Sequence, residues 1–327
     1  MRSALILSLL ILLYSCAKTP AEKVDAAIDQ ALTYLSDDKC TKAIDVLEGV
    51  GRDLDNPIYL EVLASAYACR ASYSEIVFLF SEISKIDSSA ANLMKSLTTL
   101  ILSNETAANS AKYVDLQEAI DVLLYVDSSQ PSQVAREAKY GPRKAGDMGV
   151  QALFMALTQV GKFLDFYGNV DALGAKGAGL PSVDEQGAIA SNCFVEYTEA
   201  RSLVFLGTGG GSVCNDMASD DGHPDLSFAA PSLVTTKKRM CQGLMLVTNV
   251  IDILENITLP ASSSYGDLSN VALTVTALKS AITTADPTLS TLIDTTSQTD
   301  CETLVASATE FDNLQFIYAL LFEAGLP

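Results

Sequence analysis

The sequence predicts an all-α protein, and three observations lead there. Apolar residues recur at spacings of three and four through most of the chain, the period of a helix with one buried face. No stretch sustains the alternation of a half-buried strand. The 327 residues are 49% hydrophobic and contain no Trp, with Ala, Leu, Ser, Thr and Asp prominent, a mixture that suits helices and can fill a core. The expected architecture is a set of helical hairpins in the first third, followed by a larger helical bundle.

The chain opens with MRSALILSLLILLYSC. Arg2 gives a positive start, residues 4–14 are almost wholly apolar, and Ser15-Cys16 closes the run. That is the layout of a secretory signal peptide, and the run is short of the roughly 20 residues a spanning helix needs. Leu13-Tyr14-Ser15-Cys16 resembles the lipobox of bacterial lipoproteins, with Tyr14 where a small or polar residue is usual. The resemblance implies a signal peptide at 1–15, a palmitate-type acyl anchor on Cys16 and a lipidated tether at 16–24. Ala17 and Lys18 follow the Cys with no Asp at the second position, which for that family implies the outer membrane, at its periplasmic face or the cell surface. Acyl chains stabilise such attachment by about 0.8 kcal/mol per buried CH₂.

The formal charge of −19 argues against nucleic acid and anionic lipid headgroups as direct partners. Seven Cys are present, and setting Cys16 aside leaves Cys40, Cys69, Cys193, Cys214, Cys241 and Cys301. An even set in an exported chain predicts up to three disulfides. There is no CxxC and only one His, which argues against a zinc site.

Helical patterning begins over 21–35, is broken by Asp37-Asp38 and resumes over 41–50. Asp55-Asn56-Pro57 is a helix-start signal for a segment over 58–70, followed by another over 73–83. These two pairs repeat. Ala27, Ala31, Tyr34, Ala43, Leu47 and Val50 align with Leu60, Ala64, Tyr67, Ile76, Phe80 and Ile83 at a constant offset of 33. The period and the segment LEVLASAYACRASYSEIVFLF resemble tetratricopeptide repeats (TPR). The resemblance implies an α-solenoid of hairpins over 25–127, with small residues at Ala31 and Ala64 and with Tyr73, Ile76 and Phe80 filling the space between helices. It also implies that the second helix of one hairpin runs antiparallel to the first helix of the next, which places Cys40 beside Cys69.

Segments over 90–103 and 113–126 form a third, weaker pair. The bundle then occupies 128–327. After a basic turn at 140–144 comes the longest apolar helix, over 145–167, interrupted by Gln151, Thr158, Gln159, Lys162 and Asp165 and therefore not transmembrane. It is apolar nearly all round, the mark of a helix buried among others. A glycine-rich loop at 168–184 precedes a helix over 185–206. The irregular loop 207–232 precedes helices over 236–257, 268–284 and 300–323.

Candidate chemistry is sparse. GTGGGS at 207–212 lacks the Gly-Lys-Ser/Thr ending of a phosphate loop and follows a helix instead of a strand. Asp216, Asp220, Asp221 and Asp225 surround Gly222 and His223 and offer oxygen ligands for Ca²⁺, but their spacing departs from the EF-hand and a solvated acidic turn accounts for them. Lys237-Lys238-Arg239 opens a helix where cations oppose the macrodipole, so the acidic loop is expected to compensate. That contact would bring Cys214 near Cys241. The alternative pairs Cys241 with Cys301 and Cys193 with Cys214. Met148, Phe154, Met155, Phe163 and Phe166 form an apolar set that could line a hydrophobic ligand pocket, although core packing is the usual fate of such a set.

No catalytic residue, resident metal or cofactor is expected, and the chain does not read as an enzyme. The first functional expectation is a lipid-anchored envelope scaffold that engages another envelope protein or peptide through the hairpins. The alternative is a carrier holding a small hydrophobic ligand inside the bundle. The chain is distantly similar to the helical-repeat lipoproteins associated with TRAP transporters, which implies the carrier role.

Overall fold

The computed structural model describes residues 19–89, 92–102, 105–125, 131–171, 174, 176, 193–207, 214, 222–229, 232–257 and 266–326. These residues are all-helical, with fourteen helices and no strand. No described helix is long and apolar enough to cross a membrane. Cys16, the GGGS of the glycine run, Asp216, Asp220 and Asp221 lie outside the described residues.

Local signals fix the helix starts. α1 (Pro20–Ser36) opens with a capping box, in which Thr19 Oγ1 accepts from the Glu22 amide at 3.2 Å and Glu22 accepts from the Thr19 amide at 2.7 Å. The chain turns at Asp38, with φ of 55°, into α2 (Cys40–Glu48). At α3 (Pro57–Arg70), Asn56 Oδ1 accepts from the Ile58 and Tyr59 amides, and Pro57 fills a position whose N–H needs no partner. α4 begins at Glu75–Val77 and runs on through a π turn at Phe78–Glu82 and a 3-10 turn at Ile83–Lys85. α5 (Leu93–Leu97) is short, and Ser110 caps α6 (Ala111–Leu124). Gly141 alone separates α7 (Gln133–Tyr140) from α8 (Pro142–Gly168), at a φ of 79° that glycine adopts without strain. The rest are α9 (Ala200–Phe205), α10 (Leu233–Asn256), α11 (Gly266–Ala285), α12 (Ser290–Ile293), α13 (Gln298–Leu304) and α14 (Ala308–Tyr318), which ends in a π turn at Ala319–Glu323.

The organising element is α8, buried along most of its length. α5, α6, α7 and α10 pack around it, α3 packs on α6, and α1 and α2 pack on α3; α11 and α13 lie against α10. One hydrophobic core runs from Ala27 to Leu326. The polar interruptions of α8 find partners on neighbouring segments. Gln151 Nε2 donates to Ser65 Oγ at 3.0 Å, Gln159 Nε2 to the Tyr113 carbonyl at 3.0 Å, and Lys162 Nζ to the Glu105 carbonyl at 3.2 Å. Such bonds are what allow amide and ammonium groups inside a core. Arg70 clamps α3 to α6 through two bonds to Asp115, at 2.8 and 2.6 Å. Gly243 lets α10 lie against α8 and α14, since a Cβ there would run into Phe163 and Tyr318.

Three disulfides staple the fold. Cys40–Cys69, Cys193–Cys214 and Cys241–Cys301 have Cα separations of 5.6, 5.0 and 5.8 Å. The first is the pairing implied by stacked hairpins. The remaining four Cys take the second of the two arrangements open in the sequence, and Cys214 is not joined to Cys241.

The structure corrects several sequence expectations. The second hairpin does not keep the register of the first. Ala43 and Leu47 are fully buried, whereas their aligned partners Ile76 and Phe80 are 70% and 83% exposed. α4 turns Phe78 inward instead, because the Phe154 ring of α8 waits on that side at 5.2 Å between centroids. Of the helix expected over 185–206, the described residues are helical only from Ala200, and residues 193–199 are not helical. There Val195 bridges to Gly222, and the His223 amide donates to the Phe194 carbonyl at 3.1 Å, tertiary bonds that override helical patterning. The helix expected over 300–323 is cut in two because Ser307 accepts from the Glu310 amide and starts α14 afresh. α7 was not expected, and among the described residues of 90–103 the helix covers Leu93–Leu97 alone.

Candidate functional site

The apolar set on α8 is packed in the core. Met148, Phe154, Met155 and Phe163 are at most 1% exposed and Phe166 is 8% exposed, all within the core. Of the acidic loop, Asp225 is described and exposed, with its amide donating to His223 Nδ1 at 3.2 Å. Among the described residues, the tight grouping of metal-ligating types is Cys193, Cys214 and Glu323, and its two sulfurs are joined to each other. Glu323 is occupied by Lys176, by the Phe194 amide at 2.7 Å and by the Tyr197 hydroxyl at 2.8 Å.

The basic run at the start of α10 divides. Lys237 donates to the Val305 carbonyl at 2.7 Å and lies 4.4 Å from the Phe311 ring centroid. Val305 caps the C-terminus of α13, so the cation that opposes one macrodipole is held by the negative end of another. The described part of the acidic loop, Pro224–Leu226, packs on α10 as well. Lys238 and Arg239 border a cavity.

That cavity, of about 410 Å³, lies between α6, α10 and α13, with Ala156 of α8 also lining it. Its α6 side carries Gln117, Ile120, Asp121 and Leu124. Its α10 side carries Lys238, Arg239, Gln242, Met245, Leu246 and Asn249, one face of that helix at intervals of three and four. α13 contributes Gln298, Thr299 and Glu302.

The polar groups form a partly closed network. Gln242 Nε2 and Gln159 Nε2 both approach Gln117 Oε1 at 3.4 Å, and Gln117 Nε2 donates to Asp121 Oδ1 at 3.0 Å. Gln298 Nε2 donates to the Lys238 carbonyl at 3.0 Å and to Glu302 Oε1 at 2.7 Å. Asn249 donates through Nδ2 to the Met245 and Thr296 carbonyls, at 2.8 and 2.9 Å. Its Oδ1, although buried, has no hydrogen-bond partner in the protein; nor have Gln159 Oε1 and the Tyr113 hydroxyl. A buried acceptor left this way costs about 1–3 kcal/mol until something donates to it. Burial pushes the Asp121 carboxyl from its ordinary 3.8 up to about 7, with the nearby Glu118 acting in the same direction and Gln117 opposing. No carboxylate lies within ion-pair distance of Lys238 or Arg239 among the described residues; Arg239 Nη1 donates to Gln242 Oε1 at 3.0 Å.

Sequence reasoning missed this site. The signal was Gln117 and Asp121 one turn apart on a mostly apolar helix, with Gln242 and Asn249 set into another. Periodicity shows that each face is mixed but not that the faces meet. Comparison with protein-family models, curated proteins and solved structures finds no match for this chain.

Proposed function

We propose that this chain is a lipid-anchored envelope protein that binds a small polar solute in the cavity between α6, α10 and α13. The observation that carries the reading is the cavity itself, roomy enough for a small molecule and lined by Gln117, Asp121, Arg239, Gln242, Asn249 and Glu302. The ligand is polar because the cavity is lined by Gln, Asn, Asp, Glu, Lys and Arg; the aromatic set of α8 is committed to the core. The anchor rests on Leu13-Tyr14-Ser15-Cys16.

A second reading is the scaffold, in which the TPR-like hairpins of residues 25–127 receive an envelope protein or peptide. It draws support from Ile76, Val77 and Phe80, exposed side by side on α4 at 70%, 43% and 83%. Native mass spectrometry of the protein extracted in mild detergent from its own membranes separates the two. A retained small molecule that disappears in Asn249→Leu supports the cavity. A retained polypeptide that disappears in Phe80→Asp, with no small molecule in either sample, replaces the first reading by the second.

A further inference from the structure

The charges around the cavity are sorted along its length, and that sorting specifies the ligand more narrowly than polarity does. Gln117 meets Gln242, and Arg239 acts electrostatically on Tyr113, so α6 and α10 run side by side in the same direction. Arg239 and Lys238 therefore sit at one end. Asp121 lies one turn beyond Gln117 and Asn249 two turns beyond Gln242, at the other end. At a rise of 1.5 Å per residue the Arg239 and Asp121 positions are about 10 Å apart along the axis. Glu302, beside the cationic end, already accepts from Gln298 at 2.7 Å. Two cations against one carboxylate leave that end net positive. At the far end Asp121, whose Oδ1 accepts from Gln117, brings a carboxyl group to the cavity wall.

We propose that the cavity takes a small zwitterion of about dipeptide length, its carboxylate held by Arg239 and its ammonium by Asp121. This rests on the cavity being a ligand site. A two-residue peptide spans about 7 Å, which leaves the Arg and Asp side chains to cover the rest. A guanidinium suits the carboxylate because it can donate two parallel bonds. A plain carboxylate would leave Asp121 without a cation, and a plain amine would leave Arg239 without an anion.

The pairing has a protonic consequence. In the empty cavity Asp121 is partly protonated at neutral pH, because burial lifts its carboxyl to about 7. An ammonium beside it favours the carboxylate, so binding at pH 6–7 expels the Asp121 proton to the buffer. The ionisable groups that border the two depressions Asp121 faces are Glu118 on its own helix, Lys238 and Arg239 on α10, Glu302 on α13, and Arg52 and Tyr125 in flanking loops. Of these only Glu118 raises the Asp121 carboxyl.

The test is isothermal titration calorimetry on the full mature protein in detergent, with a panel of free dipeptides, their N-acetylated forms and their C-terminal amides. Free dipeptides bind, and either cap weakens binding about 10–100-fold, the scale of a lost hydrogen bond to a charged group. At pH 6.5 the heat depends on the ionisation enthalpy of the buffer, and the dependence vanishes in Asp121→Asn. Arg239→Gln removes the discrimination against the amide, and Asp121→Asn removes that against the acetyl form; far-UV circular dichroism and melting confirm that both variants fold. Capped peptides that bind as well as free ones overturn the zwitterion while leaving the cavity as a ligand site. A panel that shows no binding also overturns it, and the native mass spectrum then decides by itself whether the cavity reading stands.

Discussion

Asp121 and His223 titrate in opposite senses, and each makes a measurable statement. The Asp121 carboxyl is raised from 3.8 to about 7 by burial. A raised acid contributes stability that is complete below about pH 4 and is lost as the pH climbs through about 7. Asp121→Asn keeps the oxygen that accepts from Gln117 and removes the ionisation. It should therefore melt higher than the parent at pH 8 and nearly level with it at pH 4, by up to about 4 kcal/mol for a shift of roughly three units. Melting curves across that range check the sign; an equal difference at both ends would refute it. His223 is buried against Phe166 and Tyr167, at 4.7 and 5.0 Å between ring centroids. Burial lowers its imidazole from 6.5 to about 4, against the pull of Asp225. Its contribution is present above pH 6.5 and is lost as the pH falls through about 4. The chain has one His, so a single imidazole proton resonance should titrate with its midpoint near 4. A midpoint near 6.5 would place the ring in water. The burial of a lone His in a loop was not legible, because its cover comes from α8, far off in sequence.

At the scale of helices, starts were legible and registers were not. Asp55-Asn56-Pro57 announced α3, and Asn56 caps it as the residue types require. Ser307-Ala308-Thr309-Glu310 carried the same kind of signal for α14 and was overlooked inside a long apolar pattern. Register failed at α4, where the 33-residue offset pointed Phe80 inward and the structure exposes it. Which aromatic turns in depends on Phe154 of α8, a contact that no local pattern contains. The cavity was illegible for the same reason: Gln117, Asn249 and Glu302 belong to three helices, and their convergence is a tertiary fact. Helix contact also sets a limit on substitution. Gly243 lies where α8, α10 and α14 crowd together, and Gly243→Ala must displace Phe163 or the Tyr318 hydroxyl, which donates to the Met240 carbonyl at 2.8 Å. We expect it to cost about 1–3 kcal/mol by urea denaturation, the range for overpacking a core. A neutral result would show that the two rings can retreat.

For the molecule as a whole, the all-α class and the Cys40–Cys69 bridge were legible, whereas the order of the rest was settled by packing around α8. A net charge of −19 and no described spanning helix leave the lipid as the proposed hold on the membrane. Cys16→Ser should therefore abolish palmitate labelling in growing cells and release the protein from the membrane fraction; labelling that persists would sink the anchor. The three disulfides carry a consequence of another kind. Six cysteines can pair in 15 ways. The pairing found joins each cysteine to its next neighbour along the chain, 40 with 69, 193 with 214 and 241 with 301, so that no loop is threaded through or nested in another. A chain delivered N-terminus first into an oxidising compartment meets its cysteines in that order. Each bridge can close before the next pair arrives, and the first encounter is already the native one.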